Sequence, residues 1–242
     1  MQYGYSIARK QLMRLYAAIL LTFTITACAH DADVGKVYVG KPYQNNPLGE
    51  DIAPDADPII RFDAFDCTTF VETALADGDV NRLNKIRYKN GVINFMNRNH
   101  FIETDWLENN SELVENVSAK YALTNTRHVV IDKKKWFKTV YNINTNFSRR
   151  SVDLEYIPYT GVQNICVSEP MIVLFIINDT KIRNKIGTDL AVRHMGFLLP
   201  NGRLRHASQT TNSVVDVDFD EYVSTMKKNK NNLGIMLLEI KK

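Results

Sequence analysis

Residues 189–209 read DLAVRHMGFLLPNGRLRHASQ. Two runs of strand-forming residues flank Pro200, Asn201 and Gly202, which is the pattern of a β-hairpin. A two-residue Asn-Gly turn would put Pro200 in the closing pair, where its missing N–H removes a ladder hydrogen bond. A three-residue loop avoids this: Pro200 supplies a fixed negative φ, Asn201 takes the bridge region and Gly202 the left-handed position. This loop sets Leu199 opposite Arg203 and Gly196 opposite His206. His194 and His206 then project from one face on neighbouring strands, whereas the shorter turn would send them to opposite faces. Gly196, lacking a side chain, leaves room beside both rings.

The neighbouring segments extend this sheet. MIVLFIIN at 171–178 is a buried strand by its β-branched density, and LGIMLLEI at 233–240 is another. DFDEYVSTMKKN at 218–229 has acids first and lysines last, the charge order that suits a helix macrodipole. Residues 77–165 show no hydrophobic period long enough for a separate domain, so they are expected to form an inserted substrate wall.

A second stretch, RFDAFDCTTFVETALA at 61–76, changes period. Cys67, Phe70, Val71, Ala74 and Leu75 fall at i, i+3, i+4, i+7 and i+8, one face of a helix, with Cys67 in its first turn. Asp66 or Asp63 is the N-cap. Free N–H groups and the positive end of a helix are expected to lower a thiol pKa from about 8.5 toward neutrality. The same groups bind an oxyanion. On this segment alone a buried core cysteine is an equally good reading.

A thiol at a helix start together with two histidines on one sheet face is the nucleophile, base and orienter set of a cysteine hydrolase. His194 would take the thiol proton and His206 would hold its ring in the right tautomer. Two half-buried sheet histidines are the plain alternative. Zinc on Cys67, His194 and His206 is a third, but the long separations carry no local metal signature.

The N-terminus carries Arg9, Lys10 and Arg14 without an acid, followed by the apolar run LYAAILLTFTITA at 15–27. This is an export signal, and it is shorter than the roughly 20 residues that span a bilayer. It ends in ITAC, which resembles the lipobox of bacterial lipoproteins. A signal peptide over 1–27, lipidation at Cys28 and a single domain over 28–242 are therefore expected, with cleavage after Ala29 as the rival. Once Cys28 is committed, Cys67 and Cys166 remain, and two cysteines make no disulfide framework. Cys166 is most simply a small buried hydrophobe.

The 242 residues suffice for one good core, and a formal charge of +3 with interleaved signs excludes a nucleic-acid surface. The lysine-rich runs at 133–135 and 227–230 are expected to be solvated faces or loops.

FDCTTF at 65–70, RHMGFLL at 193–199 and LRHAS at 204–208, in this order, resemble the NlpC-like cysteine peptidases, a papain-like superfamily that cleaves bacterial cell-wall peptides. With GKPYQNNPLGE at 40–50 and NRNHFIETDWLENN at 97–110, the chain looks most like the N-acetylmuramoyl-L-alanine amidase-like branch. The resemblance implies an α+β fold of papain-like NlpC type, with the Cys helix packed on an antiparallel sheet carrying the histidines. It implies catalysis by Cys67, His194 and His206 without metal or cofactor. Tyr43 matches a pocket tyrosine that supports the oxyanion. Arg98, Asp105 and Trp106 match a pattern suited to a carboxylate and a sugar ring, with a core position for Trp106 an equally good reading. Phe101 stands where the branch has a tyrosine. The implied partners are peptidoglycan-derived muropeptides, and the membrane through a lipid anchor on the periplasmic side, at the outer membrane. Two alternatives are a γ-D-glutamyl-diamino acid endopeptidase and a non-catalytic lipoprotein that binds cell-wall fragments.

Overall fold

Every residue of Met171–Ile177 is buried, as in a strand covered on both faces. Ile172, Leu174 and Ile176 enter one apolar cluster, while Met171, Val173 and Phe175 enter another. A computed structural model describes residues 34–241, and there this strand lies in the middle of an eight-stranded sheet. The strands are β1 (Val114–Asn116), β2 (Asn125–Ile131), β3 (Arg150–Pro158), β4 (Met171–Ile177), β5 (Val192–Leu198), β6 (Arg203–Ser208), β7 (Ser213–Asp218) and β8 (Asn232–Ile240). Their order is β2-β3-β8-β4-β5-β6-β7, with β1 also on β8, and every pairing is antiparallel.

Helices cover both faces, and the fold is α+β. Helix α1 (Cys67–Ala76) places Phe70, Val71 and Leu75 in the cluster of Ile172 and Leu174, with the Phe70 ring 5.7 Å from that of Phe197. Burying each such side chain contributes about 1.5–3 kcal/mol. Its N-cap is Asp66: the carboxylate accepts the Thr69 N–H at 2.8 Å, and the Thr69 hydroxyl accepts the Asp66 N–H at 2.9 Å. Asp63 instead pairs with Arg61 through both carboxylate oxygens. Four further helices of seven or more residues among the described residues are α2 (Val80–Arg87), α3 (Lys133–Tyr141), α4 (Thr180–Ile186) and α5 (Phe219–Met226). Helix α5 lies on the opposite face, where Phe219 and Val223 join Val173 and Phe175.

The hairpin takes the three-residue loop. Phe197 pairs Arg205 and Leu198 pairs Leu204, and the Leu199 N–H bonds the Arg203 carbonyl at 2.9 Å. Gly202 carries φ 74°, a value that only glycine adopts without strain.

Residues 77–165 do more than wall a cleft. They supply β1, β2 and β3, and Leu83, Trp106, Val129 and Leu154 share the cluster of Phe70 and Leu75. They complete the sheet and its core. Among the described residues of this segment, only Tyr159 lines the cleft discussed below. The signal peptide and Cys28 lie outside the described residues.

Candidate active site

Cys67 opens α1 on one side of the sheet, whereas His194 and His206 sit on β5 and β6 facing the other. The ladder between these strands holds the pairs Phe197 with Arg205 and Leu198 with Leu204, next to the loop. Toward the start of β5 the Met195 N–H is turned to the Cys67 sulfur instead. The helix start enters at this opening, and sulfur and imidazoles share one cleft of about 370 Å³ with Tyr43.

The histidines meet each other directly. His194 Nε2 lies 2.7 Å from His206 Nδ1, and the rings are nearly perpendicular, at 82° with centroids 4.9 Å apart. Gly196 makes this approach possible: a Cβ there would stand 2.7 Å from the Arg205 carbonyl oxygen and 2.9 Å from the His206 Cβ. Phe175 and Tyr222 pack around the pair, with the Tyr222 centroid 5.1 Å from His206 and 6.1 Å from His194.

Burial sets the protonation states. It pushes the Cys67 thiol up to about 12, the Asp66 carboxylate adding to the rise while the Met195 and Thr68 N–H groups oppose it. This corrects the expectation of a depressed thiol pKa. Desolvation and the capping carboxylate outweigh the hydrogen bonds that the sulfur receives. Burial likewise pushes His194 down to about 3, with His206 and Arg193 contributing, and His206 down to about 4 against the pull of Asp216. The resting site therefore holds a neutral thiol beside neutral imidazoles.

Tyr43 belongs to the same cleft, and burial and Cys67 together raise its phenol pKa. Arg98, Asp105 and Trp106 are placed elsewhere. The Arg98 guanidinium donates to Glu50 at 2.8 Å and to Asp55 at 2.7 Å, and Lys133 donates to Asp105 at 2.8 Å. Arg98 and Asp105 line a separate cavity of about 430 Å³. Trp106 is fully buried in the core and offers no face to a sugar. Its substrate role is thereby corrected, because the large apolar ring gains more from the core than from a wet cleft. Phe101 is also buried, its ring 5.1 Å from Trp136, so a hydroxyl there would not face the thiol. Cys166 is exposed and, like Cys67, a free thiol. Val162 and Val167 take the buried places around it. A larger groove of about 770 Å³, lined by residues such as Lys135, Arg149 and Arg183, carries no cysteine.

Among the cleft residues that escape the sequence reading are Tyr159, Arg193 and Tyr222. Tyr222 had a signal, since it falls with Phe219, Val223 and Met226 on one stripe of α5. Arg193 had only its place beside His194.

An antiparallel α+β sheet bearing a histidine pair beside a helix-start cysteine is the architecture of this protein. The chain belongs to the AmiA-like family, described as N-acetylmuramoyl-L-alanine amidase-like, whose model matches residues 33–234. Membership places it among peptidoglycan amidases at the level of the family. A Legionella pneumophila protein of known structure is similar over 97% of this chain and 95% of its own, with TM-score 0.79 and 22% identity. Two structures of an N-acetylmuramoyl-L-alanine amidase from Bacteroides uniformis give TM-scores of 0.66 and 0.67 at 23% and 25% identity, covering 87% of this chain and 97% of theirs. No curated protein matches the chain.

Proposed function

We propose that the protein is a cysteine-dependent hydrolase of the amide joining N-acetylmuramic acid to L-alanine in peptidoglycan fragments. The observation that carries this reading is the 2.7 Å contact from His194 Nε2 to His206 Nδ1 in the cleft of Cys67. With Nε2–H donated to His206, the Nδ1 lone pair of His194 is left to accept the thiol proton. Since thiol and imidazole start neutral, proton transfer accompanies attack. The sulfur bonds to the amide carbon as its proton passes to His194. The oxyanion takes the Cys67 N–H, which makes no hydrogen bond among the described residues, and the Tyr43 hydroxyl. The C–N bond then breaks as His194 returns the proton to the amine, leaving a thioester. Water, deprotonated by His194, attacks the thioester carbon, and the sulfur leaves and recovers its proton.

Digestion of purified muropeptides tests this. Wild type is expected to release free L-alanyl peptides, identified by mass spectrometry, and Cys67→Ala to release none. Shortened stems alone would reject the amidase reading in favour of γ-D-glutamyl cleavage, and equal activity of the Ala variant would remove Cys67 from the mechanism.

The proposal includes export to the periplasmic side with a lipid on Cys28, supported by the basic, apolar and ITAC sequence at the N-terminus. Cell fractionation is expected to find the chain in membranes and Cys28→Ser in the soluble fraction. An unchanged distribution counts against the anchor.

A further inference from the structure

Among the described residues lining the cleft, the guanidinium of Arg193 is the one formal charge beside the neutral histidines, and there is no acid. Arg193 is exposed, and its side chain makes no hydrogen bond or ion pair among the described residues. Asp179, which feels its charge, spends its carboxylate on the first N–H groups of α4.

The backbone shows why this side chain reaches the cleft. On β4, Phe175 pairs His194 and Ile176 pairs Val192, so Arg193 is the extra residue of a β-bulge. In a regular strand its side chain would point away from the face of His194. A bulge breaks the alternation and re-aims side chains, commonly beside functional sites. A second observation concerns Tyr159, which lines the same cleft. The Tyr159 hydroxyl is buried without a hydrogen-bond partner, and Tyr159 is only 4% exposed. A buried hydroxyl without a partner is costly, so the site is short of an acceptor.

We infer that Arg193 is the specificity-determining residue of the cleft, holding a carboxylate of the departing peptide, with the Tyr159 hydroxyl as a second donor. The inference rests on the amidase reading above. Arg193 adjoins His194, the group that protonates the leaving amine, so the carboxylate belongs to the amine side of the scissile bond. In a muramoyl peptide that side begins with L-alanine, and the first free carboxylate is the α-carboxylate of the following D-glutamate. A charge-assisted, two-pronged contact to a guanidinium suits such a group.

Two ligands that differ at this group alone provide the test: N-acetylmuramoyl-L-alanyl-D-glutamate and its D-isoglutamine counterpart, in which the carboxylate is a carboxamide. Calorimetric titration of Cys67→Ala is expected to show the acid bound roughly tenfold to a hundredfold more tightly than the amide. Adding Arg193→Gln is expected to abolish that difference, and Arg193→Lys to keep part of it. A merely structural role would weaken both ligands alike. Equal affinities, a preference that survives Arg193→Gln, or no binding of either ligand overturns the inference. Wild type incubated with the acid separates the two claims. A preference in the titration without release of L-alanyl-D-glutamate would leave carboxylate recognition standing and sink the amidase reading. Release of that dipeptide without a preference would do the reverse.

Discussion

The Cys67 sulfur stands between opposed influences. Burial and the Asp66 charge favour the thiol, while two backbone N–H groups favour the thiolate, and the first pair prevails. Thiolate grows with pH toward a raised pKa, so alkylation of Cys67 by iodoacetamide should be slow at pH 7 and still accelerating above pH 9. Asp66→Asn keeps a capping side chain and removes the charge, so it should shift that profile to lower pH. Peptide mass mapping separates Cys67 from the exposed Cys166. A wild-type rate that levels off below pH 8, or a variant profile identical to wild type, would contradict this account. The position of the thiol at the helix start was legible in the spacing of Cys67, Phe70 and Val71. Its protonation state was not, because desolvation depends on what the fold packs around the sulfur.

At the level of elements, the hairpin was the most legible part of the chain. Proline, asparagine and glycine each restrict φ and ψ locally, and together they allow one loop length, from which the shared face of His194 and His206 follows. Helix α1 was legible for a related reason, since its period and cap are local. Two features of the same strands were hidden. The β5–β6 ladder yields to the helix start near Met195, and β5 bulges at Arg193 against β4. Both depend on partners distant in sequence. Arg98 shows the same limit from the other side: a motif marked it for substrate, but Glu50 and Asp55, more than 40 residues away, hold it by two ion pairs.

Across the whole molecule, the fold holds three imidazoles neutral. Burial pushes His100 and His194 down to about 3 and His206 down to about 4, against an ordinary value near 6.5. Between the folded and ordinary values the unfolded chain binds more protons, so these groups contribute stability that is present above pH 6.5 and lost as pH falls toward 3. His100 isolates the effect, since its Nε2 bonds the Phe95 carbonyl at 2.7 Å, far from the thiol in sequence. In His100→Gln, which keeps an N–H donor and does not titrate, stability relative to wild type should rise as pH drops from 6.5 to 4. The expected slope is about 1 kcal/mol per pH unit. Urea unfolding at several pH values measures the difference, and a difference independent of pH would show that His100 is not held neutral.

By itself the sequence determined the strands β4, β5, β6 and β8, the helices α1 and α5, the register of the hairpin, and the helix start that carries a thiol. These follow from torsional limits and from the period of apolar residues, which neighbours along the chain decide. Tertiary structure alone decided that Trp106 lies in the core, that Arg98 is tied to two carboxylates, that Tyr159, Arg193 and Tyr222 line the cleft, and that thiol and imidazoles rest uncharged. Burial and charge pairing are set by atoms brought together from remote parts of the chain, and no local pattern records them.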